Sequence, residues 1–319
     1  MKSILGLDIG FGAVKCVFFN RNGEVASLFK FPSAIGVTKR NEFVSDNRIY
    51  DYRENSYYIG NDALMLPSDN LVDITEYKNL EYYAPLFAYR AIEMIGETPD
   101  IIVTGLSKAQ ITNSGYFKET LQNFTVNSKN FNFDELYILP QGAGSKLTID
   151  KYGMDFPKPQ TTFNGQSTFV GVDIGFNTLD LFLVTNGKTS PNLFEGVEHE
   201  GVMKIARGLA AVIKEKYNRE ISLQEAQEIL DTKIYKLRGQ RFDMQEDITT
   251  IRAQYLKELV ELINLKYDKI IDKCDFVFLS GGGSALFNSA ENSFFKVPKS
   301  HNEYYNAIGF ALWAQKTKI

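Results

Sequence analysis

Two stretches of the chain share one pattern of apolar and polar positions. In each, an apolar run reaches an aspartate, a glycine-containing turn follows, and a second apolar run leaves the turn. The stretches occupy residues 4–19 and 169–184, and both carry the tetrapeptide Asp-Ile-Gly-Phe, at 8–11 and at 173–176. Apolar runs on either side of such a turn predict a β-hairpin. Because the pattern occurs twice, we predict two similar half-molecules that each present one hairpin.

The first half of the chain alternates between predicted strands and helices. The dipeptide Asn22-Gly23 is a strong turn signal, and the polar, broken segment 33–79 is typical of a small inserted subdomain with little core of its own. The remaining expected elements are a strand at 24–31, a helix at 81–95, a strand at 100–105, a polar helix at 116–124 and a strand at 136–139. This alternation indicates a sheet with crossover helices.

The second half repeats this organisation after an expected linker at 151–166 that is rich in Pro, Gly and Thr. Its dipeptide Asn186-Gly187 matches the turn of the first half, and Ser222 with Glu225 forms a capping box before a helix. The expected elements are helices at 202–217, 223–230 and 245–271, a buried strand at 276–280 and a last helix at 302–316.

Length and composition allow two domains with cores of ordinary size. The chain has 319 residues, of which 44% are hydrophobic and 23% charged, as in globular proteins. Its net charge of −4 gives no reason to expect broad nucleic-acid binding. Cys16 and Cys274 lie inside predicted strands and are expected to be buried thiols in a reducing cytoplasm. No apolar run has the length of a membrane span, and no signal peptide is found at the N-terminus.

The first hairpin carries residues that suit a phosphate group and a cation. Gly10 and Gly12 allow backbone N–H groups to approach an anion closely. Lys15 adds a positive charge, and Asp8 can hold a hydrated divalent cation. A tight hairpin without a ligand explains the first copy equally well. The second copy favours the functional interpretation, because two facing hairpins can clamp a triphosphate and its metal ion.

Two further motifs follow buried strands. Gln141 comes directly after the strand at 136–139, where a glutamine can orient a water molecule for attack on a γ-phosphate. From the residues alone, a helix-start glutamine without a chemical role is the favoured interpretation. The run Gly281-Gly282-Gly283 follows the strand at 276–280, and such a run lets the backbone pass flat beside a purine or ribose. A flexible turn without ligand is the alternative there.

Taken in order, these motifs resemble the five motifs of the actin-type ATPase superfamily. The stretches that carry the resemblance are Asp8–Lys15, Pro140–Gly142, Asp173–Thr178, Leu279–Gly283 and Asn306–Gly309, and together they span nearly the whole chain. The short insertion and compact second half are most similar to the prokaryotic actin-like proteins of the plasmid-partitioning ParM type and their archaeal relatives. The resemblance implies an α/β, ribonuclease H-like duplicated fold with two similar domains around a nucleotide cleft. Domain I would comprise 1–160, with the helix at 302–319 packed back on it, and domain II would comprise 161–301.

The resemblance also implies roles for individual residues toward ATP, or GTP as the alternative, and Mg²⁺. Asp8 and Asp173 would position the waters of Mg²⁺, Lys15 would approach the β- and γ-phosphates, and Gln141 would orient the attacking water. The phosphates would be lined by Gly10, Gly12, Gly175 and Asn177. The adenosine would lie beside Gly281, Gly282 and Gly283, and its base or ribose would be reached by Lys214 or Glu215. The expected site is completed by Phe11, Phe176, Thr178, Gly201 and Ser284. Two positions depart from relatives: ParM-type proteins commonly have an acidic residue at position 141, and actin has a serine where Phe11 stands.

The activity implied is ATP hydrolysis coupled to polymerisation into filaments that drive plasmid segregation. The expected partners are further copies of the chain and a small DNA-binding adaptor, with no direct DNA binding and no membrane. Two alternatives remain open: a non-polymerising small-molecule kinase of the same superfamily, and a cell-division or morphogenesis scaffold. A kinase needs a pocket for a phosphoryl acceptor, and the sequence offers no obvious set of polar groups for one.

Overall fold

The computed structural model describes residues 1–39, 48–158, 166–287 and 294–318. In chain order, the first half contains β1 (Ile4–Ile9), β2 (Ala13–Phe19), β3 (Val25–Pro32), β4 (Ile35–Thr38), β5 (Tyr50–Tyr52), β6 (Asn55–Ile59), α1 (Tyr77–Ile95), β7 (Ile101–Leu106), α2 (Ser114–Gln122), β8 (Asn123–Val126), β9 (Lys129–Asn132), β10 (Leu136–Pro140) and α3 (Ala143–Tyr152). The second half contains β11 (Phe169–Ile174), β12 (Thr178–Val184), β13 (Phe194–Glu198), α4 (Met203–Tyr217), α5 (Leu223–Thr232), β14 (Ile234–Leu237), β15 (Gln240–Asp243), α6 (Gln245–Tyr267), β16 (Phe276–Ser280), β17 (Phe295–Lys296) and α7 (Tyr305–Thr317).

Two five-stranded sheets share one topology. The first has the spatial order β10-β7-β1-β2-β3, and the second, read in the matching direction, has the order β17-β16-β11-β12-β13. In each, the central strand pairs antiparallel with the strand that follows it and parallel with a later strand, β7 or β16. The fold is therefore duplicated, which confirms the prediction of an α/β, actin-like architecture with two similar halves.

We use the term first lobe for residues 1–39, 48–158 and 305–318, and second lobe for residues 166–287 and 294–304. The first lobe includes α7, because Ala307, Ile308 and Phe310 of that helix pack with Ile4 of β1 and Val103 of β7 in one buried cluster. The last helix therefore covers a face of the sheet that begins the chain.

Helices α3 and α7 cross in backbone contact. A Cβ atom at Gly309 would lie 1.8 Å from the carbonyl oxygen of Gly144, and one at Gly144 would lie 2.4 Å from the carbonyl oxygen of Asn306. The stability cost of glycine inside α7 is thus explained by a close approach that a side chain would prevent.

The inserted segment has a larger core than expected. Its strands join β8 and β9 in a third five-stranded sheet, ordered β4-β6-β5-β8-β9, which the sequence pattern did not indicate. Tyr50, Tyr52 and Tyr57 are buried between this sheet and α1. The expectation of little core was therefore wrong, because aromatic residues within this polar segment supply its packing.

Several element boundaries differ from the predicted ones. Helix α1 begins at Tyr77, four residues before the predicted start, and α6 ends at Tyr267, four residues before the predicted end. Lys151 and Tyr152 lie in α3 and not in a linker, since Tyr152 is buried in the first lobe. The rest of the expected linker includes 159–165, which lies outside the described residues, as does the predicted boundary between domains.

The two cysteines have different surroundings. Cys16 is buried in β2, as predicted. Cys274 is only partly buried and precedes β16, so its assignment to a strand was wrong; the short 3₁₀ helix at Ile271–Lys273 ends beside it. Both thiols are free. Across the described ranges of the chain, none of the helices has the length and apolar character needed to cross a bilayer.

Candidate functional site

The first hairpin places a carboxylate and an ammonium side by side. Asp8 near the end of β1 lies directly across from Lys15 of β2 in the strand register, and the lysine Nζ is 3.4 Å from Asp8 Oδ2. Burial opposes the charge on Lys15, but attraction to Asp8 and Asp173 outweighs it and raises the pKa of the ammonium. Lys15 is thus a permanent cation held between carboxylates of both lobes.

Gln141 belongs to the same cluster. It follows β10, its backbone N–H donates to the carbonyl of Leu106, and its side-chain Nε2 donates to Asp8 Oδ1 at 2.9 Å. The side chain therefore faces the cleft. Its amide is oriented by Asp8, which leaves the amide oxygen available to accept a hydrogen bond from a water molecule.

The second hairpin contributes Asp173, a buried carboxylate. It accepts hydrogen bonds from Ser280 Oγ at 3.1 Å and from Asn306 Nδ2 at 2.8 Å. Burial and repulsion from Asp8 raise its pKa to about 6, although Lys15 and the two hydrogen bonds act in the opposite direction. The effect of Asp8 on the pKa of Asp173 places the carboxylates of the two hairpins in one shared region.

Asn306 connects this carboxylate to the first lobe. Its Oδ1 accepts hydrogen bonds from the backbone N–H groups of Gly142 and Ser145, at 3.0 and 3.1 Å, while its Nδ2 donates to Asp173. Ser145 Oγ also lies 3.1 Å from Ser280 Oγ. A single amide thus fixes the start of α3 relative to the second hairpin, beside the crossing of α3 and α7.

A second bridge between the lobes involves Asp180 of β12. Ser107, just after β7, donates its hydroxyl to Asp180 Oδ1 at 2.8 Å, and the backbone N–H of Lys108 donates to the same oxygen at 3.2 Å. The Ser107 and Asp180 side chains are both buried. Burial and repulsion from Asp173, its direct neighbour across the hairpin, raise the pKa of Asp180 to about 7.

The hairpin tips meet at the mouth of the cleft. Gly12 lies against the Phe176 side chain, and a Cβ atom at this glycine would be 3.0 Å from the ring. Gly201 and Asn177 are joined by a backbone hydrogen bond, and the Asn177 side chain lies within 3.2 Å of His199 Nδ1. The helix α4 therefore begins directly behind the second hairpin tip.

Other expected residues of the hairpins lie nearby with differing exposure. Thr178 and Asn177 are buried, whereas Gly10, Phe11 and Gly175 are partly exposed, and Phe11 packs on the core of the first lobe.

The three glycines after β16 differ in their surroundings. Gly281 has a φ of 81° and passes within reach of Asp173, whose Oδ1 would lie 2.6 Å from a Cβ atom there. Gly283 packs against Ile174, while Gly282 is exposed and faces open space. Ser284 is buried and donates to the carbonyl of Gly281. Gly282 is thus the part of this turn that is open to a ligand.

Lys214 and Glu215 lie apart from the carboxylate cluster. Both are exposed in the last turn of α4, about 17 Å along the helix from its start at the hairpin tip. Lys214 forms an ion pair with Glu220 at 2.6 Å. A role for either residue would therefore concern the far end of a ligand and not its phosphates.

The donor set of the cleft fits a phosphate chain with a hydrated Mg²⁺. Mg²⁺ commonly keeps several waters and binds one or two carboxylates together with substrate phosphates. Asp8 and Asp173 supply two such carboxylates, and no group of three or more His, Cys, Asp or Glu side chains that could bind a metal occurs in the described parts of the chain. A site of this kind is suited to a cation that arrives with its phosphates.

Sequence reasoning assigned no role to Asn306, Ser107 or Asp180. Asn306 had a signal, because it begins the motif Asn306–Gly309, but the resemblance implied no contact for its side chain. Asp180 also had a signal, since it is an aspartate inside a strand whose other residues are buried and mostly apolar. Ser107 had none, because its partner is 73 residues away.

Two lobes of one topology, each presenting an acidic hairpin to a shared cleft, define a protein of the actin-like fold. Residues 6–144 match the family described as actin-like proteins, N-terminal domain, and residues 171–290 match the family described as archaeal actin homologue MreB-like, C-terminal. The chain belongs to the actin-like ATPase superfamily. A search of curated proteins finds no match.

Solved structures show the same fold over the whole chain. The native structure of the archaeal actin homologue Ta0583 aligns over 99% of this chain and 100% of the Ta0583 chain, with a TM-score of 0.76 and 21% identity. Ta0583 has also been solved in complex with ADP. The ParM of a 15-stranded filament from Clostridium botulinum aligns with this chain over 99% of each, with a TM-score of 0.79 and 16% identity. Bacillus thuringiensis ParM with ATP also covers 99% of both, with a TM-score of 0.60 and 17% identity.

Proposed function

We propose that this chain binds ATP and Mg²⁺ in the cleft, hydrolyses the ATP, and polymerises into filaments whose assembly is coupled to that hydrolysis. The observation that carries the proposal is the arrangement of Asp8 and Asp173, one from each lobe, around Lys15. Two buried carboxylates that repel each other, beside a lysine, suit a phosphate chain that brings its own cation.

The residues of the cleft have distinct roles in this proposal. Mg²⁺, when bound, neutralises charge on the phosphates. Lys15 attracts the β- and γ-phosphates, and the backbone N–H groups at the hairpin tips donate to phosphate oxygens. Gln141, oriented by Asp8, accepts a hydrogen bond from the water that attacks the γ-phosphate. Gly282 passes beside the nucleoside, and Lys214 or Glu215 contacts its base or ribose.

Coupling to assembly follows from the position of the site between the lobes. A ligand held by both hairpins favours the arrangement in which Asn306 and the Ser107–Asp180 bridge are formed. Subunits in that arrangement add head to tail through surfaces that do not close into a ring. Likeness to a ParM taken from a filament supports this step.

The cellular role we propose is plasmid segregation in the cytoplasm, with a small DNA-binding adaptor that connects filament ends to DNA. The support is likeness to ParM proteins. The role is tested by plasmid loss: a plasmid that carries this gene with its neighbouring genes should be retained over generations without selection. Asp173→Asn in that gene should raise loss to the rate of random partitioning. Unchanged retention would exclude a segregation role.

The molecular proposal is tested by light scattering and phosphate release after addition of Mg-ATP at increasing protein concentration. We expect a sharp critical concentration, with scattering that precedes phosphate release, and impairment of both in Asp173→Asn. Circular dichroism of the variant controls for folding, and GTP in a parallel series tests the nucleotide. Turnover that is independent of protein concentration, with flat scattering, would exclude filaments. Turnover that requires a small acceptor would indicate a kinase, and ATP binding without turnover would indicate a scaffold.

A further inference from the structure

The strands β14 and β15 form a two-stranded ribbon, residues 234–243, that joins none of the larger sheets in the described chain. Alternation along each strand gives the ribbon an inner and an outer face. On the inner face, Tyr235 and Phe242 are register partners that pack on Tyr217 of α4, with ring centroids 5.1 and 4.8 Å from it. The ribbon is therefore anchored to the second lobe by one aromatic face.

The outer face carries positive charges in direct opposition. Lys236 and Arg241 are register partners across the ribbon, and both are exposed. Arg238, also exposed, lies in the turn with a φ of 49°, followed by Gly239. Like charges directly across an antiparallel pair destabilise it. The opposition of Lys236 and Arg241 therefore lowers the stability of the ribbon.

Neighbouring carboxylates do not compensate these charges. Glu220 is paired with Lys214, Asp247 is paired with Lys216, and Asp243 accepts the backbone N–H of Gln245 at the start of α6. Residues 233–243 contain four Lys or Arg and one acidic residue, Asp243, at the end of the outer face. Throughout the described part of the chain, no carboxylate lies within ion-pair distance of Lys236, Arg238 or Arg241. The three cations are therefore open to an acidic partner from outside the subunit.

We propose that the outer face of this ribbon binds an acidic surface on a second copy of the chain, so that Lys236, Arg238 and Arg241 form part of a subunit contact. This inference rests on the proposed function, in that it assigns a surface to self-association. The chain offers complementary charge, because it has 39 acidic against 35 basic residues. On the insertion, Glu54, Asp69 and Glu76 are exposed, and within the described residues they form no ion pair.

A protein surface fits the ribbon better than a nucleic acid. Strands of four residues span only about 13 Å, and three cations neutralise about three phosphates, which gives weak attachment at physiological salt. The net charge of −4 repels a long polyanion that extends over the whole protein. A local acidic patch on another subunit contacts the basic ribbon alone and does not experience this repulsion to the same extent.

The test compares Lys236→Glu with wild type in sedimentation velocity and in Mg-ATP-driven pelleting, at about 50 and about 300 mM salt. This substitution removes the like-charge opposition to Arg241, so we expect Tm to rise by about 1 to 3 °C. Association should nevertheless weaken, with a critical concentration about tenfold higher at low salt and a smaller difference at high salt. Lys236→Arg should behave as wild type. Lys269→Glu, at an exposed position elsewhere on the second lobe, controls for the change in net charge.

Each outcome decides the inference. A wild-type critical concentration in Lys236→Glu overturns it while leaving the filament proposal intact. A fall in Tm together with weaker association also overturns it, because the lysine then acts through folding. If wild type forms no filaments, the filament proposal fails. In that case a salt-sensitive dimer that Lys236→Glu abolishes would still support the ribbon contact, and the absence of such a dimer would overturn the ribbon contact. Anisotropy with a short DNA duplex completes the test: DNA binding lost in Lys236→Glu with unchanged self-association assigns the surface to nucleic acid.

Discussion

Asp180 of the second lobe accepts a 2.8 Å hydrogen bond from the hydroxyl of Ser107 in the first lobe, and both side chains are buried. The two residues belong to different lobes, so this bond exists only while the lobes are close together. Together with the amide of Asn306, it gives the cleft two bridges, one at the crossing of α3 and α7 and one at the end of β7.

The first prediction concerns pH. Burial and repulsion from Asp173 raise the pKa of Asp180 to about 7, above its usual value near 4. The folded state therefore binds the proton more tightly than the unfolded state. The stability from this group is full below about pH 4 and is lost as the pH rises through about 7. We expect Asp180→Asn to raise the free energy of unfolding by about 2 to 4 kcal/mol at pH 8 and by much less at pH 5.

The asparagine suits this comparison because its oxygen can still accept from Ser107 and from the Lys108 N–H. Urea unfolding of the nucleotide-free protein at several pH values measures the difference. Ser107→Ala serves as the control, since it removes a bond but keeps the charge, and it should destabilise the protein. A difference between Asp180→Asn and wild type that does not grow with pH would contradict the prediction.

The second prediction concerns hydrolysis. Gln141→Ala should lower the rate of phosphate release by about 100-fold or more, because water near the γ-phosphate loses its positioning group. Nucleotide affinity should change little, since Lys15 and the hairpin backbones remain. Single-turnover phosphate release and equilibrium binding of a fluorescent ATP analogue separate the two effects. Equal loss of both would show that Gln141 supports the site and has no direct part in the reaction.

The third prediction concerns removal of the metal. Asp8 and Asp173 repel each other across the cleft, and a cation bound with the phosphates relieves that repulsion. We therefore expect ATP to raise the Tm much more with Mg²⁺ than with EDTA. In Asp173→Asn this difference should largely disappear. Thermal unfolding with both additions makes the measurement, and an equal rise with EDTA would argue against a metal held by these carboxylates.

The fourth prediction concerns the helix crossing. Gly309→Ala should destabilise the protein by about 3 kcal/mol or more, because its Cβ would meet the carbonyl oxygen of Gly144. Gly115→Ala is a matched control in helix α2, where a Cβ meets nothing within 4 Å. That change should be neutral or should stabilise by up to about 1 kcal/mol. Urea unfolding of both variants provides the test, and similar values would contradict the close approach.

Sequence reasoning succeeded where the signal was local and repeated. The paired Asp-Ile-Gly-Phe hairpins predicted the duplicated sheets, because apolar alternation and a glycine turn are set by neighbouring residues. The capping box also has a counterpart in the structure, where Ser222 Oγ accepts the backbone N–H of Glu225. Gly309 carries a local signal as well, since glycine inside a predicted helix costs stability unless a close approach requires it.

It failed where the determinant lies far along the chain. Strands β8 and β9 join the sheet of the insertion through the register pair of Tyr52 with Val126, which no local pattern encodes. The bond from Ser107 to Asp180 spans 73 positions, and the contact of Asn306 with Asp173 spans 133. Cys274 lies before β16 and not inside a strand, because the 3₁₀ helix at Ile271–Lys273 ends beside it.

The position of α7 in the chain has a consequence for biosynthesis. This helix covers the sheet that begins with β1, yet a ribosome makes it only after the whole second lobe, about 150 residues beyond α3. At usual translation rates the interval is on the order of 10 s. During that time the apolar face around Ile4 and Val103 lacks its contacts with α7. The nascent first lobe therefore exposes apolar surface until α7 has been made, and the cleft is not complete until Asn306 has emerged.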